Sequence, residues 1–340
     1  MNIRNIVRLL AQISLVLTFV VIIAGSVVRM TGSGMGCPDW PKCFGYLIPP
    51  TDEEVLFFKE GHTYEAGQMI VRHDTLWVAN GSFTSSSDFS HADWHKYPKH
   101  DYAIFNVLHT WVEYINRLAT VVYGIPVFLL SLFSLVLLIR QREWVIFLLA
   151  FLTDVMVGFE AWLGKLVVDG NLVENSITYH MIGSIALVAL LSIMVFRLTK
   201  EEEVFQTKRG FRIAMWTLAV LLFCQILMGT QVREQVDLVA KISSDRSSWI
   251  DMLPSIFYIH RSFSIVILLL SGWLYFKSKE SLRLVQFNWA MLVLMLELLV
   301  GIVLAYLDMP APMQPLHLLL AVLCFALVFY TGLRIQFKRV

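Results

Sequence analysis

Long apolar stretches alternate with short polar connections along the chain, a pattern that matches neither the single stripe of a soluble helix nor the period of two of a strand. Crossing a hydrocarbon core about 30 Å thick takes about 20 helical residues. Eight stretches meet that length, near residues 8–30, 104–139, 144–168, 177–198, 213–233, 253–276, 285–307 and 315–335. Backbone groups cannot go unsatisfied in lipid, so each stretch is expected as a helix, and the fold as an all-α integral membrane protein with eight transmembrane helices. The second stretch is long enough to project beyond the bilayer or to bend at Gly124 and Pro126.

Charge orients these spans. Arg4 and Arg8, Arg140 and Arg142, Lys200 with Lys208, Arg209 and Arg212, Lys277, Lys279 and Arg283, and Arg334, Lys338 and Arg339 all fall in alternate connections. The positive-inside rule assigns that side to the cytoplasm. Both termini are then inside, and residues 31–103 and the connections near 169–176, 234–252 and 308–314 are outside. A signal peptide is an alternative for the first span, since Ala24-Gly25-Ser26 offers small residues for cleavage. Its apolar run is too long for one.

Composition agrees. The 340 residues are 57% hydrophobic and 16% charged, against about 45–50% and about 25% in soluble proteins. A net charge of +1 gives no pull towards nucleic acid, and ten Trp with 23 Phe exclude a disordered chain.

The two halves repeat. Gly25-Ser26-Val27-Val28-Arg29 matches Gly229-Thr230-Gln231-Val232-Arg233, and Tyr114-Ile115-Asn116-Arg117 matches Tyr258-Ile259-His260-Arg261. Glu160 and Gly164 match Glu297 and Gly301, and each glycine precedes a histidine, His180 or His317, by 16 residues. Anchors in the same order predict two repeated four-helix bundles, residues 1–200 and 201–340, related by an axis along the membrane normal.

Of nine histidines, His109, His180, His260 and His317 lie in spans. All four fall in the opening turns of even-numbered helices, near the outer leaflet. A histidine in a bilayer is costly unless it pairs, lines water or binds a ligand, and facing helices of a bundle are a standard way to hold a haem between two imidazoles. In the second half the pair is His260 and His317. Ligation from both faces closes the iron to substrate and suits electron transfer. Arg233 and Arg261 lie near the same end, where they can pair with a propionate or snorkel to the interface.

The first half departs from that symmetry. Asn116 stands where His260 stands, while His180 keeps the place of His317. His109 precedes Asn116 by seven residues, about 10.5 Å along the same helical face, with Glu113 between them. An ionisable Glu beside a less fully ligated porphyrin suits proton or cation chemistry. The alternative is a Glu113–Arg117 pair at i,i+4.

On these residues the chain resembles the haem A synthase family of cytochrome oxidase assembly. The resemblance rests on Gly25 to Gly36 (GSVVRMTGSGMG) with Cys37 and Cys43, on Glu113-Tyr-Ile-Asn-Arg117, and on His180, His260-Arg261 and His317. It implies oxidation of a methyl group of haem O to the formyl of haem A. It also implies a haem b on His260 and His317, flanked by Arg233 and Arg261, and Glu113 as the essential catalytic glutamate. The substrate porphyrin would sit near His180, His109, Asn116, Arg29 and Arg117. The family's first-half His pair falls on Asn116 and His180, so the substrate iron is ligated from both sides, by His180 alone, or by way of His109. The partners implied are haem O synthase, the oxidase assembly machinery and an electron acceptor, with a homo-oligomer as one state. The lack of a transit-type extension before the first span points to a bacterial plasma membrane.

Cys37 and Cys43 face the oxidising side, where a disulfide persists, and the resemblance implies a bridge between them rather than two free thiols. Cys224 and Cys324 lie in apolar helix and are expected as core filler. Glu160 and Glu297 can hydrogen-bond across helices, or Glu160 can pair with Lys165. The loop 44–103 carries His91, His95 and His100 without tight metal-ligand spacing, and is expected to be a small folded lid or partner-docking element. Two rival functions remain, a dihaem b cytochrome exchanging electrons with quinone and a transporter; Asn116 speaks against the first and the outer-leaflet histidines against the second.

Overall fold

The computed structural model describes residues 2–99, 104–169, 175–199, 205–281 and 284–337. His100, Lys200, Arg283, Lys338 and Arg339 lie outside the described residues. The long helices are α1 (Ile3–Thr31), α2 (Val107–Gln141), α3 (Trp144–Asp169), α4 (Ser176–Leu198), α5 (Arg209–Ile242), α7 (Ser255–Ser281), α8 (Val285–Tyr306) and α9 (Met313–Arg334), with a single turn α6 (Trp249–Met252) before α7. Among the described residues these eight long helices are long and apolar enough to cross a membrane. Their outward faces stay apolar, as at Val121, Ile125, Phe128 and Leu132 of α2, because the solvent there is acyl chain.

One expected boundary moves. The fifth span continues as helix to Ile242, where a connection is expected from 234. Arg233 and Asp237 pair across one turn at 2.7 Å, and Val236 and Val239 pack with Trp249, Leu253 and Phe257. Burial and an i,i+4 ion pair thus hold polar sequence in helix beyond the apolar run.

The chain divides into two compact units, Met1–Ser26 with Val122–Glu160 and Ile177–Val340, and Val27–Val121 with Ala161–Ser176. In the first, α5, α7, α8 and α9 pack together around Leu218, Leu222, Ile267, Phe287, Leu294, Val322 and Phe325. A second core joins Val7 and Ala11 of α1, Leu130 and Leu137 of α2, Ile146 and Ala150 of α3, and Leu191 and Met194 of α4. Cys324 is buried, but Cys224 is exposed on α5 and faces away from the packing. That corrects its reading as core filler: an apolar span has a lipid side as well as a protein side.

The second unit contains the folded part of the 31–103 loop. Strands β2 (Met69–Arg72) and β3 (Thr75–Ala79) form an antiparallel hairpin, with β5 (Trp94–Lys96) on the other edge of β3, while β1 (Thr63–Tyr64) pairs with β4 (Phe83–Thr84). At the hairpin turn His73 and Asp74 both have positive φ, 50° and 52°, the conformation that matches the twist of two-residue hairpins. Tyr64, Ile70, Ala79 and Trp94 form an aromatic-rich core with Phe58, Trp77, Phe83 and Phe89. A neighbouring core joins Cys37, Cys43, Phe44, Leu56, Met69 and Leu76 to Phe105 and to Tyr114 of α2. The loop is thereby fastened to the first turns of the second span.

Candidate functional site

Asn106 caps α2 by accepting the His109 amide at Oδ1, 3.1 Å. One turn on, the segment Gly36 to Cys43 lies flat against the helix. Gly36 makes this possible, because a Cβ there would stand 2.3 Å from the His109 carbonyl oxygen. The Gly36 carbonyl accepts the Thr110 hydroxyl at 2.8 Å. Cys37 and Cys43 are joined as a disulfide with their Cα atoms 4.7 Å apart.

Glu113 is only 4% exposed, and it accepts the Cys37 amide at Oε2, 2.8 Å. Its other oxygen is paired with Arg117 Nη2. The Arg117 guanidinium also donates to the carbonyls of Asp39 at 2.7 Å, Lys42 at 2.9 Å and Cys37 at 3.2 Å. One fork thus binds three loop carbonyls and a buried carboxylate, a geometry that the planar guanidinium favours over an ammonium. The Glu113–Arg117 pair expected as an alternative is present, and it coexists with a carboxylate buried under the loop. Asp39 accepts the Gly45 amide at 3.0 Å, and burial pushes its carboxyl above the usual range against the pull of that amide and of Arg117. Tyr97 donates to the Pro38 carbonyl at 2.8 Å, and burial pushes its phenol up to about 12.

Arg29, His109, Glu113, Asn116 and Arg117 belong to the second unit, and His180, Arg233, His260, Arg261 and His317 to the first. Within the first, His260 of α7 and His317 of α9 face each other, with ring centroids 6.4 Å apart and planes at 83°. Two metal–imidazole bonds of about 2 Å each, with about 1 Å from nitrogen to ring centre on either side, span about 6 Å. The Nδ1 atoms of both rings are buried without a hydrogen-bond partner, so this donor set fits a metal held between the rings. Gly229 of α5 and Gly301 of α8 flank the pair: a Cβ on either would lie 3.2 Å from the Cε1 of His260 or His317. Gln225 donates to the His260 carbonyl at 3.0 Å. An apolar cleft among α5, α7, α8 and α9 includes Ser264 and Ala321 in its wall, each one helical turn beyond a histidine of the pair.

Glu160 Oε2 lies 2.6 Å from His180 Nδ1, and Glu297 Oε1 lies 3.4 Å from His317 Nε2. Lys165 pairs instead with Asp169 at 3.2 Å, so of the two expectations for Glu160 the contact across helices holds. Arg233 pairs with Asp237, Arg261 lies over the Tyr258 ring at 5.3 Å, and Arg29 occupies the last turn of α1. In the 44–103 loop His91 packs on Trp77 and Phe89, and His95 Nδ1 bonds Asn80 Oδ1 at 2.5 Å.

Sequence reasoning missed Asp39, Gly183 and Gln225, and it placed Gly36 in a motif without its role. Gln225, a polar residue in an apolar run one turn before Gly229, carries a legible signal. The role of Gly36 depends on an approach between residues far apart in the chain, which no local pattern announces.

The sequence pattern of the cytochrome oxidase assembly protein family (COX15-CtaA) matches residues 8–76 and 85–329. A curated relative, the heme A synthase of Shewanella oneidensis strain MR-1, is 24% identical over 224 residues, which cover 65% of this chain and 54% of the relative. The chain therefore spans about half the length of the curated relative that it matches.

Proposed function

The chain belongs to the cytochrome oxidase assembly protein family, and from that premise we propose that it is a haem A synthase, an oxidoreductase that converts a methyl group of haem O to the formyl of haem A. What carries the reading is an asymmetry: His260 and His317 face each other 6.4 Å apart, whereas Asn116 stands at the corresponding place in α2. In the second half, residues 201–340, His260 and His317 would hold a haem b, with Arg233 and Arg261 near its outer end. When bound, that haem supplies electron transfer. The first half, residues 1–200, takes the substrate haem O, with His180 as its iron ligand.

Glu113 is the catalytic residue of this scheme. Oxidising a porphyrin methyl leaves an electron-poor carbon and releases a proton, and a carboxylate can stabilise the charge or take the proton at an oxygen. Burial under the disulfide loop keeps water from that oxygen. Arg117 holds the carboxylate and the loop in one position.

Both termini lie in the cytoplasm and the 31–103 loop lies outside a bacterial plasma membrane, as the cation pattern supports. Haem O synthase, as the source of substrate, the oxidase assembly machinery and an electron acceptor are the partners. The test is to extract porphyrins from membranes of cells expressing the chain with and without a haem O supply. Haem A that appears only with haem O supports the reading. A haem b spectrum with no haem A under either condition would favour the non-catalytic dihaem cytochrome.

A further inference from the structure

Two membrane-embedded carboxylates, Glu160 and Glu297, sit against histidines without a part in the chemistry above. They are not equivalent. Glu160 of α3 brings Oε2 to 2.6 Å from Nδ1 of His180 on α4. What admits it is Gly183, three residues after His180, where a Cβ would stand 1.7 Å from Glu160 Oε1. The carboxyl occupies space that any other residue at 183 would fill. Its Oε1 is buried without a hydrogen-bond partner, so burial here costs free energy that only the His180 contact offsets. Three residues after His317 stands Leu320. There Glu297 stays 3.4 Å away and addresses Nε2 rather than Nδ1.

We propose that Glu160 is the positioning residue for the substrate-haem ligand: by accepting the Nδ1–H of His180 in the seat left by Gly183, it fixes the tautomer whose Nε2 carries the lone pair for iron. The inference rests on the function proposed above. A histidine ligand whose other N–H is given to a carboxylate is held in orientation and made more basic. A more basic ligand favours ferric over ferrous iron, and that matters most in the half where Asn116 replaces the second imidazole.

The test uses the purified full-length protein loaded with haem O, titrated potentiometrically as wild type, Glu160→Gln, Gly183→Ala and His180→Ala. Glu160→Gln keeps the shape but weakens the acceptor. Gly183→Ala keeps the acid and pushes it out of its seat, and alanine suits a helix better than glycine. Both variants should lower the ferric preference of the His180-dependent haem about tenfold, an upward shift of about 59 mV for a one-electron couple. Both should also weaken haem O binding roughly 10- to 100-fold, while the haem on His260 and His317 keeps its potential. A His180-dependent haem whose potential and affinity stay unmoved in both variants overturns the proposal alone. A wild type in which no haem signal responds to His180→Ala overturns the first-half reading and this inference together.

Discussion

The amide of Cys37 donates to Glu113 Oε2 across 2.8 Å, so the disulfide loop and the buried carboxylate of the second span form one assembly. The acid cannot move without disturbing the backbone next to the bridge. Its second oxygen is bound to Arg117, which holds the same loop by three carbonyls.

Glu113→Gln retains an oxygen for the Cys37 amide but gives up the charge. The loop and its disulfide should stay in place, and the haem on His260 and His317 should be retained. Haem A formation should fall by roughly 10²- to 10⁴-fold, the usual contribution of a positioned acid or base. Porphyrin extraction and a reduced-minus-oxidised spectrum of the same membranes check both halves of the statement. Parental haem A output would make Glu113 structural.

Arg117→Ala strands Glu113, whose side chain is 5% exposed, and leaves three loop carbonyls without their donor. Breaking a buried pair from one side costs about 3–5 kcal/mol. Arg117→Lys keeps the charge and loses the fork, and should fall between the two. Thermal unfolding in detergent ranks the three proteins, and the disulfide should become reducible faster in the same order.

His260→Ala or His317→Ala should remove one low-spin haem signal entirely. Gly229→Ala and Gly301→Ala make a milder test, since each Cβ would come within 3.2 Å of an imidazole carbon and displace the ring by a few tenths of an ångström. These variants should fold, keep part of their haem and show a broadened or shifted Soret band. A full, unchanged haem complement in His317→Ala would contradict the pairing.

Asp39 contributes to the pH dependence of the loop. Burial raises its folded-state pKa above the ordinary 3.8, so the folded loop binds the proton more tightly than the unfolded one. That stabilisation is fully present below the unfolded value and is lost as pH rises through the folded one. Reduction of Cys37–Cys43 by a phosphine should therefore be slower at pH 4 than at pH 7. Asp39→Asn, which can still accept the Gly45 amide, should flatten that difference.

The eight spans are legible in the sequence because lipid demands long apolar runs and tolerates little else. The His260–His317 pair is legible for a related reason, since a polar ring in such a run needs a partner and both rings fall in the opening turns of their helices. The last turns of α5 are not, because Val236 and Val239 are buried by Trp249 and Phe257, contacts that exist only once the chain has folded back. The seats at Gly36 and Gly183 are hidden for another reason. In both, the missing side chain is the information, and its use depends on a residue, His109 or Glu160, from another part of the chain.

The Glu113–Arg117 pair has a further consequence for how the chain reaches the membrane. The loop backbone that Glu113 accepts from is made 76 residues earlier and has nothing to dock on until α2 arrives. A lone carboxylate entering hydrocarbon would cost about 2.5–3.5 kcal/mol on insertion scales. With the guanidinium one turn away on the same helix, α2 carries the counter-charge of Glu113 within its own sequence.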